Sequence, residues 1–170
     1  ASDGRTALMA ASDGGHASVV GALLEASADV HAQASNGMTA LMLAYAGGHV
    51  DCLKILLISH DESASSINVK SSDGGTALLL AACKGHTTCV RLLLDKDSSG
   101  INKKDEDGIS PLMTAARNGH LDCIKALLDV DASGIRDMNN RGETALQQAV
   151  DNGHEECAEY LRNYKEKDIA

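Results

Sequence analysis

One pattern recurs five times along this chain, and it constrains the fold more than any other feature. It reads Gly-x-Thr/Ser-x-Leu, with a Gly-His pair beginning eleven residues after the first glycine. The first glycines are Gly4, Gly37, Gly74, Gly108 and Gly142, at spacings of 33, 37, 34 and 34 residues. The pairs are Gly15-His16, Gly48-His49, Gly85-His86, Gly119-His120 and Gly153-His154. Self-similarity at such a period marks a stack of small units, none of which buries its apolar face alone. The units run 1–33, 34–70, 71–104, 105–138 and 139–170, a single domain.

Each slot of the pattern has a physical task. Thr6, Thr39, Thr76, Ser110 and Thr144 precede an apolar run, which is the place of a helix N-cap. The run then sets Leu8/Ala11, Leu41/Ala44, Leu78/Ala81, Leu112/Ala115 and Leu146/Ala149 three apart, on one helical face. The small Ala lets a neighbouring helix approach closely. The glycine of each Gly-His pair stops this helix in the left-handed conformation. A second helix follows, as Val19-Val20-x-x-Leu23-Leu24 and again as Cys52-Leu53-x-x-Leu56-Leu57. Each unit therefore contributes a tight turn and two short helices, and the fold class is all-α.

Composition agrees. The chain has three Tyr, no Phe, no Trp and one Pro, which starts an all-β reading weakly. A formal net charge of −9 opposes nucleic-acid binding, which needs Lys and Arg to neutralise phosphates. No apolar stretch approaches the ~20 residues that span a bilayer. No secretory signal and no Asn-x-Ser/Thr sequon occur. Five Cys, without close pairing, fit a reducing compartment. A cytoplasmic monomer without metal or cofactor is the expectation.

The layout resembles the ankyrin repeat, and the resemblance spans essentially the whole chain. The family's Thr-Pro-Leu-His reads Thr6-Ala7-Leu8-Met9 and Ser110-Pro111-Leu112-Met113, so only Pro111 keeps the proline and no unit keeps that His. Ala28-Asp29-Val30-His31 stands for Gly-Ala-Asp-Val-Asn. Four extra residues between Leu57 and Asn68 are expected to bulge as a surface loop. The resemblance implies a solenoid whose concave face is made by the turns and first helices. It also implies a non-catalytic module that binds a protein partner there.

Recognition residues carry over position by position. Ser2, Asp3, Arg5, Asp13 and Gly14 come from the first unit, and Ser35, Asn36, Met38, Ala46 and Gly47 from the second. The third supplies Ser72, Asp73, Gly75, Cys83 and Lys84, and the fourth Glu106, Asp107, Ile109, Arg117 and Asn118. The fifth supplies Asn140, Arg141, Glu143, Asp151 and Asn152. Met38 and Ile109 are expected as exposed apolar side chains at hairpin tips. Asp105-Glu106-Asp107 is read as a solvated acidic tip, or as a contact for a basic partner.

Four His-x-x-Cys pairs, from His49/Cys52 to His154/Cys157, invite a zinc reading. Tetrahedral zinc needs four ligands at about 2.0–2.3 Å. Equivalent positions on stacked helices lie about 8–10 Å apart. Each His is therefore expected to support the interhelical turn, and each Cys to fill the core slot of Val19. Cys83 is expected on the exposed part of a first helix.

The ends differ. Glu155, Glu156, Glu159 and Arg162 give the fifth unit a polar outer face, like a terminal cap. The first unit keeps Val19, Val20, Leu23 and Leu24, so its outer side looks internal, and the protein is expected to continue upstream. A targeting or regulatory segment of a larger enzyme, such as a kinase, or of a channel is the alternative. No catalytic residues are patterned.

Overall fold

The computed structural model describes residues 3–59 and 67–167. Ser2 and the segment 60–66, where the longer loop is expected, lie outside the described residues. Ten α-helices and no strand are present among the described residues. They are α1 (Ala7–Asp13), α2 (Ala17–Glu25), α3 (Ala40–Gly47), α4 (Val50–Ser59), α5 (Ala77–Lys84), α6 (Thr87–Lys96), α7 (Pro111–Arg117), α8 (Leu121–Val130), α9 (Ala145–Asp151) and α10 (Glu155–Lys167). Short 3-10 turns span Ser98–Gly100 and Ser133–Arg136.

The five hydroxyls start the first helices as expected. Each accepts a hydrogen bond from the backbone N–H three residues on, at 3.2–3.3 Å. Pro111 follows its cap at a position where a missing N–H leaves nothing unsatisfied. The odd-numbered helices pack side by side in one row and the even-numbered helices in a second. Ala11, Ala44, Ala81, Ala115 and Ala149 are all buried in the first row. Their small side chains let these neighbouring helices approach closely.

Adjacent units are clamped through the Gly-His pairs. The sequence expectation that each histidine supports its own interhelical turn by hydrogen bonds is corrected for His49, His86, His120 and His154. Each reaches back to the preceding unit: His49 Nε2 to the Asp13 carbonyl at 2.9 Å, His86 to Ala46 at 3.1 Å, and His120 and His154 to Cys83 and Arg117 at 3.0 Å. The imidazole lies over the preceding glycine. At Gly85 (φ +74°) an added Cβ would sit 2.6 Å from His120 Nδ1. That glycine is therefore required twice, by its left-handed backbone and by the ring above it. At the hairpin end Ser35, Ser72 and Asn140 donate backbone N–H groups to Asp3, Asn36 and Asp107 of the unit before.

A third seam was not anticipated. Asp97-Ser98-Ser99-Gly100-Ile101 and Asp131-Ala132-Ser133-Gly134-Ile135 repeat one another between units. Asn68 Nδ2 donates to Asp97 and Ser99, and Asn102 Nδ2 to Asp131 and Ser133. A Cβ on Gly134 would fall 2.5 Å from Asn102 Oδ1.

The core differs from the sequence expectation at its first unit. Cys52, Cys89, Cys123 and Cys157 are fully buried, but Val19, their equivalent, is 47% exposed. No described unit packs over it. Leu146 is only half-buried in the outermost first helix. Tyr45 and Ser12 are buried with hydroxyls that find no partner among the described residues. Burial pushes the Tyr45 phenol well above its ordinary range, because no neighbour compensates its ionised form.

Candidate functional site

The face made by the hairpins and first helices has two rows. Hairpin tips supply one, and the last residues of α1, α3, α5, α7 and α9 supply the other. The tip turns are rigid: Ala34, Ser71, Asp105 and Asn139 each donate a backbone bond to the residue four further on. Asn36, Asp73, Asp105 and Asn139 brace the tips with side-chain oxygens that accept backbone N–H bonds. Asp105 is thus a turn-forming residue rather than a free member of an acidic cluster. The Ser71 hydroxyl, with help from the Gly75 N–H, holds the Asp73 carboxyl below the usual carboxylate range.

The second row has a double role. The backbone carbonyls of Asp13, Ala46, Cys83 and Arg117 accept the histidine bonds, which leaves their side chains for the groove. Asp13 is exposed and pairs with Arg5 at 2.7 Å, bridging tip and helix end within the first unit. Lys84, Arg117, Asn118, Asp151 and Asn152 are exposed. Cys83 is half-buried rather than exposed, with the Asn118 amide 4.0 Å from its sulfur.

The expectation for Met38 and Ile109 is corrected. Both are half-buried and pack against the core rather than standing out at the tips. Each forms the apolar wall of a depression. Between the first and second units, Met38 and Leu43 line one together with Asp3, Arg5, Ser35 and Asn36. Between the fourth and fifth units, Ile109 lines another with Asp107, Arg117, Asn140 and Arg141. Glu143, Asp151 and Asn152 complete it, with Asn139 and Gln148.

Asn139 and Gln148 escaped the sequence reading, although both are buried. They donate to Glu143 Oε2 at 2.7 and 2.6 Å and hold it in place. The signal available was Gln148 at a position where the other first helices carry Ala10, Leu43, Leu80 or Thr114. Ser72, Asp73 and Glu106 are exposed on the tips between the two depressions, and Ala46 and Gly75 are half-buried.

The four His-x-x-Cys pairs separate into two environments. Their imidazoles hydrogen-bond carbonyls across units, while their thiols lie in the core. Burial raises the pKa of Cys52, Cys89, Cys123 and Cys157. Among the described residues no cluster of three or more His, Cys, Asp or Glu side chains is arranged to hold a metal. No described helix is long and apolar enough to cross a membrane.

A family model described as ankyrin repeats in three copies matches residues 1–71, 62–133 and 97–170. The chain belongs to the ankyrin-repeat family. No curated protein matches it as a relative. Ankyrin repeats are in general protein–protein interaction modules, and the family is typically non-catalytic. In ankyrin terms, the Gly-His clamps, the tip hydrogen bonds and the Asn seam are the stacking contacts between consecutive repeats.

Proposed function

We propose that this ankyrin array is a non-catalytic module that binds a protein partner along its concave surface. One observation carries the reading. Backbone groups on that face clamp repeat to repeat, while exposed side chains such as Ser35, Ser72, Lys84, Glu106, Arg117 and Arg141 stand on it beside two depressions. A partner then meets a preorganised surface, and little ordering entropy opposes association. The tip residues Asp3, Ser35, Asn36, Ser72, Asp73, Glu106 and Asn140, and the helix-end residues Lys84, Arg117, Asn118 and Asn152, form the proposed contact. The five free thiols accord with a reducing cytoplasm, and the module is proposed to act as a monomer.

The test is capture of a partner from lysate of the source cell, followed by binding of that partner to variants. Ser72→Arg and Asn118→Arg should abolish capture with unchanged circular dichroism, since both side chains are exposed. Lys54→Glu and Arg91→Glu, on the second-helix face, should bind normally. Lys125 is a poorer control, because its ammonium lies 5.7 Å over the Tyr160 ring. Loss in the second-helix variants alone would move recognition to the convex side.

A further inference from the structure

The depression between the fourth and fifth repeats holds an imbalance of satisfied and unsatisfied charge. Glu143 accepts from Asn139 and Gln148, and Asp151 accepts from Gln147 at 2.7 Å. The amide of Asn140 is spent on the Glu106 carbonyl and that of Asn152 on the Gln148 carbonyl. Arg117 and Arg141 remain. They line the same depression from opposite rows, one at the end of α7 and one at a hairpin tip. Neither guanidinium has an ion pair among the described residues. Arg5 differs: its guanidinium, at the first repeat's hairpin, is already closed by Asp13.

We infer that this depression recognises one carboxylate, an Asp or Glu side chain of the partner polypeptide; the inference rests on the concave-face reading above. A guanidinium presents a planar pair of N–H donors that matches a carboxylate. Ile109 supplies an apolar wall for the methylenes that carry it. The surrounding charge selects among anions. Glu143, Asp151 and Asp107 line the depression beside the two arginines, so a dianionic phosphate meets about twice the repulsion that a monoanion meets. The attraction is then the short-range, charge-assisted hydrogen bonds of a monoanion.

The experiment selects random peptides displayed on phage against the whole chain and titrates the enriched peptides by fluorescence polarisation. Enriched peptides should share an Asp or Glu. Changing it to Asn or Gln should weaken binding about tenfold or more, as expected for a lost charged hydrogen bond. Arg117→Gln and Arg141→Gln should each produce the same loss, with an unchanged thermal midpoint because both side chains are exposed. Millimolar inorganic phosphate should not compete.

Peptides without an acidic residue would overturn the inference, as would acidic peptides indifferent to both arginine changes, or competition by phosphate. If those peptides still lose binding with Ser72→Arg, the concave-face reading stands and only the carboxylate site falls. Binding lost with Lys54→Glu and kept with Ser72→Arg would overturn both.

Discussion

Gly85 and His120 provide the sharpest test of how the repeats are held together. Gly85→Ala has two separable costs. The left-handed backbone at φ +74° penalises a Cβ by about 1–2 kcal/mol. The new Cβ would also sit 2.6 Å from His120 Nδ1 and 2.7 Å from Cε1, closer than carbon contacts allow. The ring must move, and its 3.0 Å bond to the Cys83 carbonyl is lost. A hydrogen bond of this kind contributes about 0.5–1.5 kcal/mol. The expected loss for Gly85→Ala is therefore about 1.5–3.5 kcal/mol.

Urea unfolding monitored by far-UV circular dichroism measures it, and the midpoint shift at constant slope gives the change. Gly153 has the same φ of +74° but no neighbour within 4 Å of its would-be Cβ. Gly153→Ala should show only the backbone part. A terminal repeat frays, so the double-mutant cycle is the stricter arm. In a His120→Ala background Gly85→Ala should fall to about 1–2 kcal/mol, a coupling of the size expected between contacting residues. An additive cycle would refute the clamp and leave left-handed strain as the whole reason for these glycines.

Three further outcomes follow from burial and hydrogen bonding. Tyr45→Phe removes a buried hydroxyl that has no partner among the described residues, so denaturant midpoints should hold or rise, by up to about 1–3 kcal/mol; a clear loss would reveal a bonded hydroxyl. With a thiol reagent under native conditions Cys83 should react first, while the buried Cys52, Cys89, Cys123 and Cys157, whose pKa values burial raises, should react only on unfolding; tryptic mapping of the label decides it. The Ser133 N–H and hydroxyl, with the Asn102 amide, hold Asp131 below the ordinary carboxylate range. Its folded pKa is depressed, so its contribution is complete above the unfolded value of about 3.9 and disappears as pH falls through the folded value. Asp131→Asn should accordingly flatten the acid limb of the midpoint-against-pH curve, and a curve parallel to wild type would contradict this.

The sequence alone determined the repeating unit. A hydroxyl cap, an i, i+3 Leu/Ala face and a glycine stop are local instructions, readable because each acts within one helical turn. Thr6, Thr39, Thr76, Ser110 and Thr144 cap as the spacing required, and every repeat glycine takes its positive φ. Tertiary structure decided what the units do to one another. No local rule tells that His120 bonds Cys83 at a separation of 37 residues, or that Asn102 holds Asp131 and Ser133. Those partners meet only once the helices stack. The same holds for the surface. Met38 and Ile109 looked exposed in sequence because their neighbours in the chain are polar. They are half-buried because a neighbouring repeat lies against them, the first repeat beside Met38 and the fifth beside Ile109. Val19 looked like core because its equivalents are core, and it is exposed because burial at that position comes from the preceding repeat. In a stack of this kind the chain specifies each unit, while burial, satisfaction and free charge at any position depend on the neighbour that packs over it.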